Sequence, residues 1–139
     1  MTDSVFSLHP RLAADTLPIG ELALCQIVLM NDARFPWIIL VPRRPELREI
    51  IDLAPDDQAT LLTEIAAVSR VLQRLIEPQK LNVAAIGNIV AQLHIHVVAR
   101  FEDDAAWPAP IWGYGVREPY DENESSSFIA LLQRELGHL

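Results

Sequence analysis

An α+β fold, with a mostly antiparallel sheet under one long helix and a C-terminal helix, is predicted by three features of the chain. Strand-like runs rich in β-branched residues occur in pairs joined by short turns, the pattern of hairpins. One long amphipathic stretch, over about residues 55–77, separates the first pair from the second. A second, shorter amphipathic stretch follows near the C-terminus, and helices added to hairpins in this order cover one face of a sheet. The 139 residues, half of them hydrophobic, have the size and composition of a single globular domain, read as 1–139.

A helical turn is expected around Leu8 to Ala14. A strand from about Leu22 to Met30 then leads through the turn Asn31-Asp32-Ala33-Arg34 into a second strand, Trp37 to Val41. Pro42-Arg43-Arg44-Pro45 ends that strand because proline has no N–H to give the ladder. In the long helix, Pro55 suits the first position, and Asp56 and Asp57 complement the positive end of the dipole. Leu61, Leu62, Ile65, Val68, Leu72, Leu75 and Ile76 recur at helical spacing, and Pro78 stops the helix. Next come a strand near Leu81 to Ile86, a Gly87-Asn88 turn and a strand from Val90 to Arg100. The last helix is expected from about Asn123 to Leu136, with Phe128, Leu131, Leu132 and Leu136 as its apolar stripe.

Composition excludes several classes. The longest apolar stretch, Leu22 to Met30, contains Gln26 and falls far short of the roughly 20 residues that span a bilayer, so no membrane partner is expected. Met1-Thr2-Asp3-Ser4 lacks the basic start and apolar middle of a secretory signal, which makes the cytoplasm the expected location. The lone Cys25 lies in a strand-like run and reads as a small core residue, since no partner that would lower its pKa is visible. Eleven Lys and Arg against nineteen Asp and Glu give a net charge of −8, which argues against nucleic acid as a partner. A small anion held by backbone N–H groups or a few arginines remains compatible with that charge.

Chemistry is sought in the run Gln92-Leu93-His94-Ile95-His96-Val97-Val98, which holds two of the four histidines. Alternation along a strand places Gln92, His94 and His96 on one face and turns Leu93, Ile95 and Val97 toward the core beneath the long helix. Taken alone, such a pair is more often structural than chemical, and a metal site is the other chemical reading. No third ligand stands nearby in sequence, however, and Glu102, Asp103 and Asp104 read as a solvated turn. Arg43, Arg44 and Arg100 read as surface charges at strand ends.

This run resembles the histidine-triad motif, His-φ-His-φ-His-φ-φ with φ apolar, in a variant Gln-x-His-x-His form in which Gln92 replaces the first histidine. Asn31 at a strand end, followed by Pro36-Trp37-Ile38-Ile39-Leu40-Val41-Pro42-Arg43, looks like the family's first hairpin, with Trp37 where many members carry histidine. Asn82 and Gly87-Asn88 precede the motif at the family's distances, and Trp107-Pro108 follows it as in the nucleoside-phosphoramidate branch. The resemblance covers about residues 20–112 and implies a histidine-triad (HIT-like) α+β domain, near the dinucleoside polyphosphate hydrolases.

The resemblance also implies a function. Members cleave or transfer nucleoside monophosphate groups through a covalent intermediate on the middle histidine, here His94. The substrates it points to are a nucleoside phosphate, a dinucleoside polyphosphate such as a diadenosine polyphosphate, or a phosphoramidate. A neutral imidazole is a good nucleophile toward phosphorus, and its phosphoramidate hydrolyses readily. His96 then donates a hydrogen bond to a phosphoryl or leaving-group oxygen, and the chemistry asks for no metal or other cofactor.

Gln92 stands for an orienting histidine; it can hydrogen-bond but cannot titrate, so Gln92→His is expected to preserve or raise turnover. Galactose-1-phosphate uridylyltransferases resemble this pattern with glutamine at the third position, so glutamine alone does not exclude catalysis. Asn31, Asn82, Asn88 and Trp107 are the candidate substrate contacts, although asparagine is also favoured at turns for backbone reasons. Trp107 and Trp112 close the pocket or fill an interface, and the resemblance further implies a two-fold homodimer. Two alternatives stand beside the enzyme: a nucleotide-binding module with little turnover because of Gln92, and a metal-binding protein using His94 and His96.

Overall fold

A computed structural model describes residues 5–137, so the reading of Met1 to Ser4 lies outside the described residues. The strands are β1 Thr16–Glu21, β2 Cys25–Met30, β3 Trp37–Pro42, β4 Lys80–Ala84 and β5 Ile95–Arg100, and the helices are α1 Pro10–Asp15, α2 Pro55–Ile76 and α3 Glu122–Leu136. They build the expected α+β layout as one five-stranded sheet in the order β1-β2-β3-β5-β4. Each neighbouring pair is antiparallel. β5 is inserted between β3 and β4, so both its edges are satisfied and all six of its residues are buried.

Helix α2 starts with Pro55, carries Asp56 and Asp57 in its first turn, and ends where Glu77 takes a left-handed conformation just before Pro78. Leu61, Val68, Val71 and Leu72 form its buried stripe, whereas Leu62 is 69 % exposed because it falls one position off that stripe. Glu64 lies within the stripe, and its carboxylate accepts the N–H groups of Leu24 and Cys25 at 2.8 and 2.9 Å. That contact pins the β1–β2 turn to the helix and gives the buried Glu64 side chain two backbone donors. Burial also raises the Cys25 thiol pKa far above its ordinary range, so Cys25 is an inert core residue.

The sheet has two faces with separate cores. Leu93, Ile95 and Val97 pack with Leu61, Val68, Leu72, Leu132 and Leu136 on the helical side, as the alternation predicts. On the other side, Val98, Ile39 and Trp37 meet Leu12, Phe35, Ala106 and Ile111 under irregular chain. The functional side chains lie on this second side.

Three elements depart from expectation, the first being the strand expected from Leu22, which begins at Cys25 because Leu22 to Leu24 form the turn from β1. β1 is absent from the sequence reading; it contains Pro18 and Gly20, both tolerated because β1 is an edge strand whose register shifts between them. The histidine strand begins at Ile95 rather than Val90, since the chain bends at Gln92 before it joins the sheet.

Candidate active site

The site is assembled where β5 begins. His96 stands opposite Ile39 on β3 and Ala84 on β4, and Trp37, opposite Val98, is its diagonal neighbour on the same face. Trp37 Nε1–H donates to His96 Nδ1 at 2.9 Å. An indole N–H can only donate, so the His96 proton sits on Nε2. Just ahead of the strand, His94 Nδ1 lies 2.7 Å from the backbone carbonyl of Gln92. A carbonyl can only accept, so His94 Nδ1 carries a proton, and in the neutral ring the lone pair is on Nε2.

The two buried rings are 4.9 Å apart between centroids and inclined at 67°. They present complementary functions, a free lone pair beside an N–H. Burial first, and then the neighbouring His94, take the His96 pKa from 6.5 down to about 3, so His96 is neutral at ordinary pH.

Both histidines open on a cleft of about 320 Å³, a size that suits a small organic ligand. Leu12, Met30, Ile86, Ile89 and Val90 give it apolar walls, and Asn88, Arg11 and Asp15 are its other polar members. Asn88 arrives there through the expected turn, in which Gly87 has a φ of +68° that favours glycine. Trp112 packs edge-on against His96, with ring centroids 5.3 Å apart.

The segment that delivers Trp112 is anchored by Arg100 and Asp104, and both residues correct the sequence reading. Arg100 is buried, with 2 % of its surface exposed, because it follows His96 and Val98 on the inward face of β5. Its guanidinium pairs with Asp104 at 2.7 Å and donates to Asn82 Oδ1 and the Ala109 carbonyl, each at 2.8 Å. Asp104 also accepts the N–H groups of Phe101, Ala106 and Trp107. Burial opposes its ionisation, yet the Arg100 bond and these N–H groups prevail and bring its pKa down to about 2. Asp104 is therefore the hub of the loop rather than part of a solvated turn.

Of the expected site residues, His94, His96 and Asn88 meet at the cleft. Gln92 lies in the bend, beyond the reach of strand alternation, and its carboxamide bonds Ser7 O and His9 N–H, each at 2.8 Å. Asn31 accepts the Tyr120 N–H at 2.9 Å, and Asn82 holds Arg100. Trp107 stacks on Arg100 with 5.6 Å from guanidinium carbon to ring centre, whereas Trp112 lies in its own chain's cleft. The sequence reading missed Arg11, Leu12 and Asp15. Their signal was the i,i+4 Arg11–Asp15 pair on a helix opened by His9 and Pro10. Among the described residues, no three His, Cys, Asp or Glu side chains group as a metal set.

An antiparallel sheet flanked by helices, with two buried imidazoles at the head of an interior strand, defines the class of this molecule, and comparison with known proteins gives the family. The HIT domain model matches residues 11–103, and the chain belongs to that family. It is similar to a histidine triad protein from Bradyrhizobium japonicum, at 48% identity and TM-score 0.93 over 95% of this chain and 98% of that one. A histidine triad protein from Marinobacter aquaeolei is 47% identical at TM-score 0.94, with 97% and 98% covered. One from Sinorhizobium meliloti is 48% identical at TM-score 0.92, with 94% and 96% covered. No curated protein matches the chain.

Proposed function

We propose that this chain is a nucleotide hydrolase or transferase that cleaves a nucleoside phosphate, a dinucleoside polyphosphate or a nucleoside phosphoramidate through a nucleotidyl-His94 intermediate. The observation that carries this reading is the pair of opposed hydrogen bonds at the two Nδ1 atoms, which in the neutral rings leaves a lone pair on His94 Nε2 and a proton on His96 Nε2.

In the first step the His94 Nε2 lone pair forms a bond to the α-phosphorus as the bond from phosphorus to the leaving group breaks; a leaving phosphate oxygen departs as the anion, and a leaving nitrogen departs as the amine with a proton taken from solvent. The positive charge that develops on the imidazole is shared through Nδ1–H with the Gln92 carbonyl. His96 Nε2–H supports the phosphoryl or leaving-group oxygen as a hydrogen-bond donor rather than as an imidazolium acid, given its low pKa. Water, or an acceptor alcohol in a transferase, then displaces His94 and restores its lone pair. The apolar walls from Leu12, Ile86 and Val90 suit a nucleobase, and Asn88 suits a phosphate or sugar oxygen. The reading extends to a homodimer, supported by the open edge and apolar side chains of β4.

The test is mass spectrometry after brief mixing with diadenosine polyphosphates and nucleoside phosphoramidates. A nucleoside monophosphate adduct on His94 is the expected result. His94→Ala should abolish turnover while nucleotide binding stays within about tenfold, roughly 1.4 kcal/mol. Full activity in that variant overturns the mechanism.

A further inference from the structure

We propose that Gln92 is a positioning residue that clamps the N-terminal wall of the cleft to the His94 side through a side-chain copy of a parallel β-bridge around Leu8. Its Nε2–H donates to the Ser7 carbonyl, and its Oε1 accepts the His9 N–H, each at 2.8 Å. Those two groups flank Leu8, and they are the pair that one residue of a neighbouring strand engages in a parallel ladder. A carboxamide carries the same donor and acceptor as a peptide unit, side by side, so glutamine fits where a backbone would.

The clamped segment leads straight into the cleft wall. His9 caps α1, its Nδ1 accepting the Arg11 N–H at 3.0 Å, and Pro10 fills the first turn. A helix of six residues does not hold itself, so its place depends on such anchors. It presents Arg11, Leu12 and Asp15 to the cleft. The backbone carbonyl of the same Gln92 receives His94 Nδ1–H. One residue therefore places a wall with its side chain and the imidazole with its main chain, and only the first job depends on being glutamine.

This reverses the sequence expectation for Gln92→His. The two nitrogens of an imidazole point away from each other and cannot engage Ser7 and His9 together, so the family residue loosens the wall instead of improving the site.

The kinetic part rests on the proposed nucleotidyl transfer, and the exchange part does not. The full chain and its Gln92→Met, Gln92→Glu and Gln92→His variants are compared by amide hydrogen exchange and by steady-state kinetics with adenosine 5′-phosphoramidate. Gln92→Met should speed exchange over residues 8–15 about tenfold and raise KM about tenfold, with kcat changed less than about threefold because the carbonyl stays on His94. Gln92→Glu keeps the acceptor for His9 and should fall between the native chain and Gln92→Met; it carries the same two readouts if Gln92→Met does not fold. Unchanged exchange over residues 8–15 overturns the clamp. Faster exchange with a falling kcat and a constant KM overturns the positioning role and puts Gln92 at the chemical step. A native chain that does not turn over the phosphoramidate counts against the proposed function, while the exchange result still decides the clamp.

Discussion

Trp37 and His96 show how one contact sets chemical character. The indole can only donate, so it holds His96 in the Nε2–H form; a histidine at the Trp37 position has no such restriction, because it can also accept. Trp37→Phe keeps the ring in the cleft and removes the donor. Losing one hydrogen bond of about 1 kcal/mol predicts a kcat drop of roughly five- to tenfold with KM little changed. The imidazole nitrogen shifts of His96 should show the tautomers mixing, and an unaltered kcat would mean that the Trp37 bond does not matter to the reaction. The depressed pKa of His96 has its own signature. The folded value of about 3 lies below the unfolded 6.5, so neutral His96 adds stability that is complete above pH 6.5 and is lost as pH falls toward 3. Thermal midpoints should fall between pH 6 and 4, and His96→Gln should flatten that fall.

At the level of elements, the sequence was readable wherever one local rule decided the outcome. α2 was readable from Pro55, the two aspartates and the stripe, and β2, β3 and the Gly87-Asn88 turn from residue type. What escaped was decided by tertiary partners. β1 hides behind Pro18 and Gly20 because nothing local says that it is an edge. Arg100 and Asp104 look like surface charges until β5 turns Arg100 inward and the loop wraps around it. For the same reason the facing of His94 and His96 was legible and the bonds of Gln92 were not, since Ser7 and His9 lie more than eighty residues away.

The buried pair makes a prediction at this scale. Asp104→Asn leaves the Arg100 cation without its counter-charge, which predicts a loss of about 3–5 kcal/mol, read as a lower urea midpoint at constant slope. The affected loop carries Trp112 to His96, so nucleotide KM should rise in the same variant. The folded pKa of about 2 lies below the ordinary carboxyl value of 3.8, so this stability is present above pH 3.8 and lost as pH falls through 2. That window overlaps the one for His96 only between about pH 3.8 and 3, so a pH titration of stability in the two variants separates them. A variant as stable as the native chain would show that the pair does not anchor the loop.

For the molecule as a whole, the open question is what covers the outer side of β4. No helix among the described residues is long and apolar enough to cross a membrane. β4 is the last strand of the sheet and leaves one row of N–H and C=O groups unpaired. Val83 on that strand, and Ile86 and Ile89 just beyond it, are 50%, 42% and 75% exposed. A second copy of the chain would satisfy both needs through a two-fold contact in which the same edge meets itself in antiparallel register. Two copies, each with a net charge of −8, repel, so added salt should strengthen the association by screening. The native chain should sediment as a dimer at micromolar concentration, more completely at 0.5 M than at 0.05 M salt. Val83→Lys, which places a hydrated cation in the contact, should shift it to monomer without lowering its thermal midpoint by more than a few degrees. A native chain that sediments as a monomer at both salt concentrations would rule out this dimer and leave the β4 edge guarded only by its short length and Lys80.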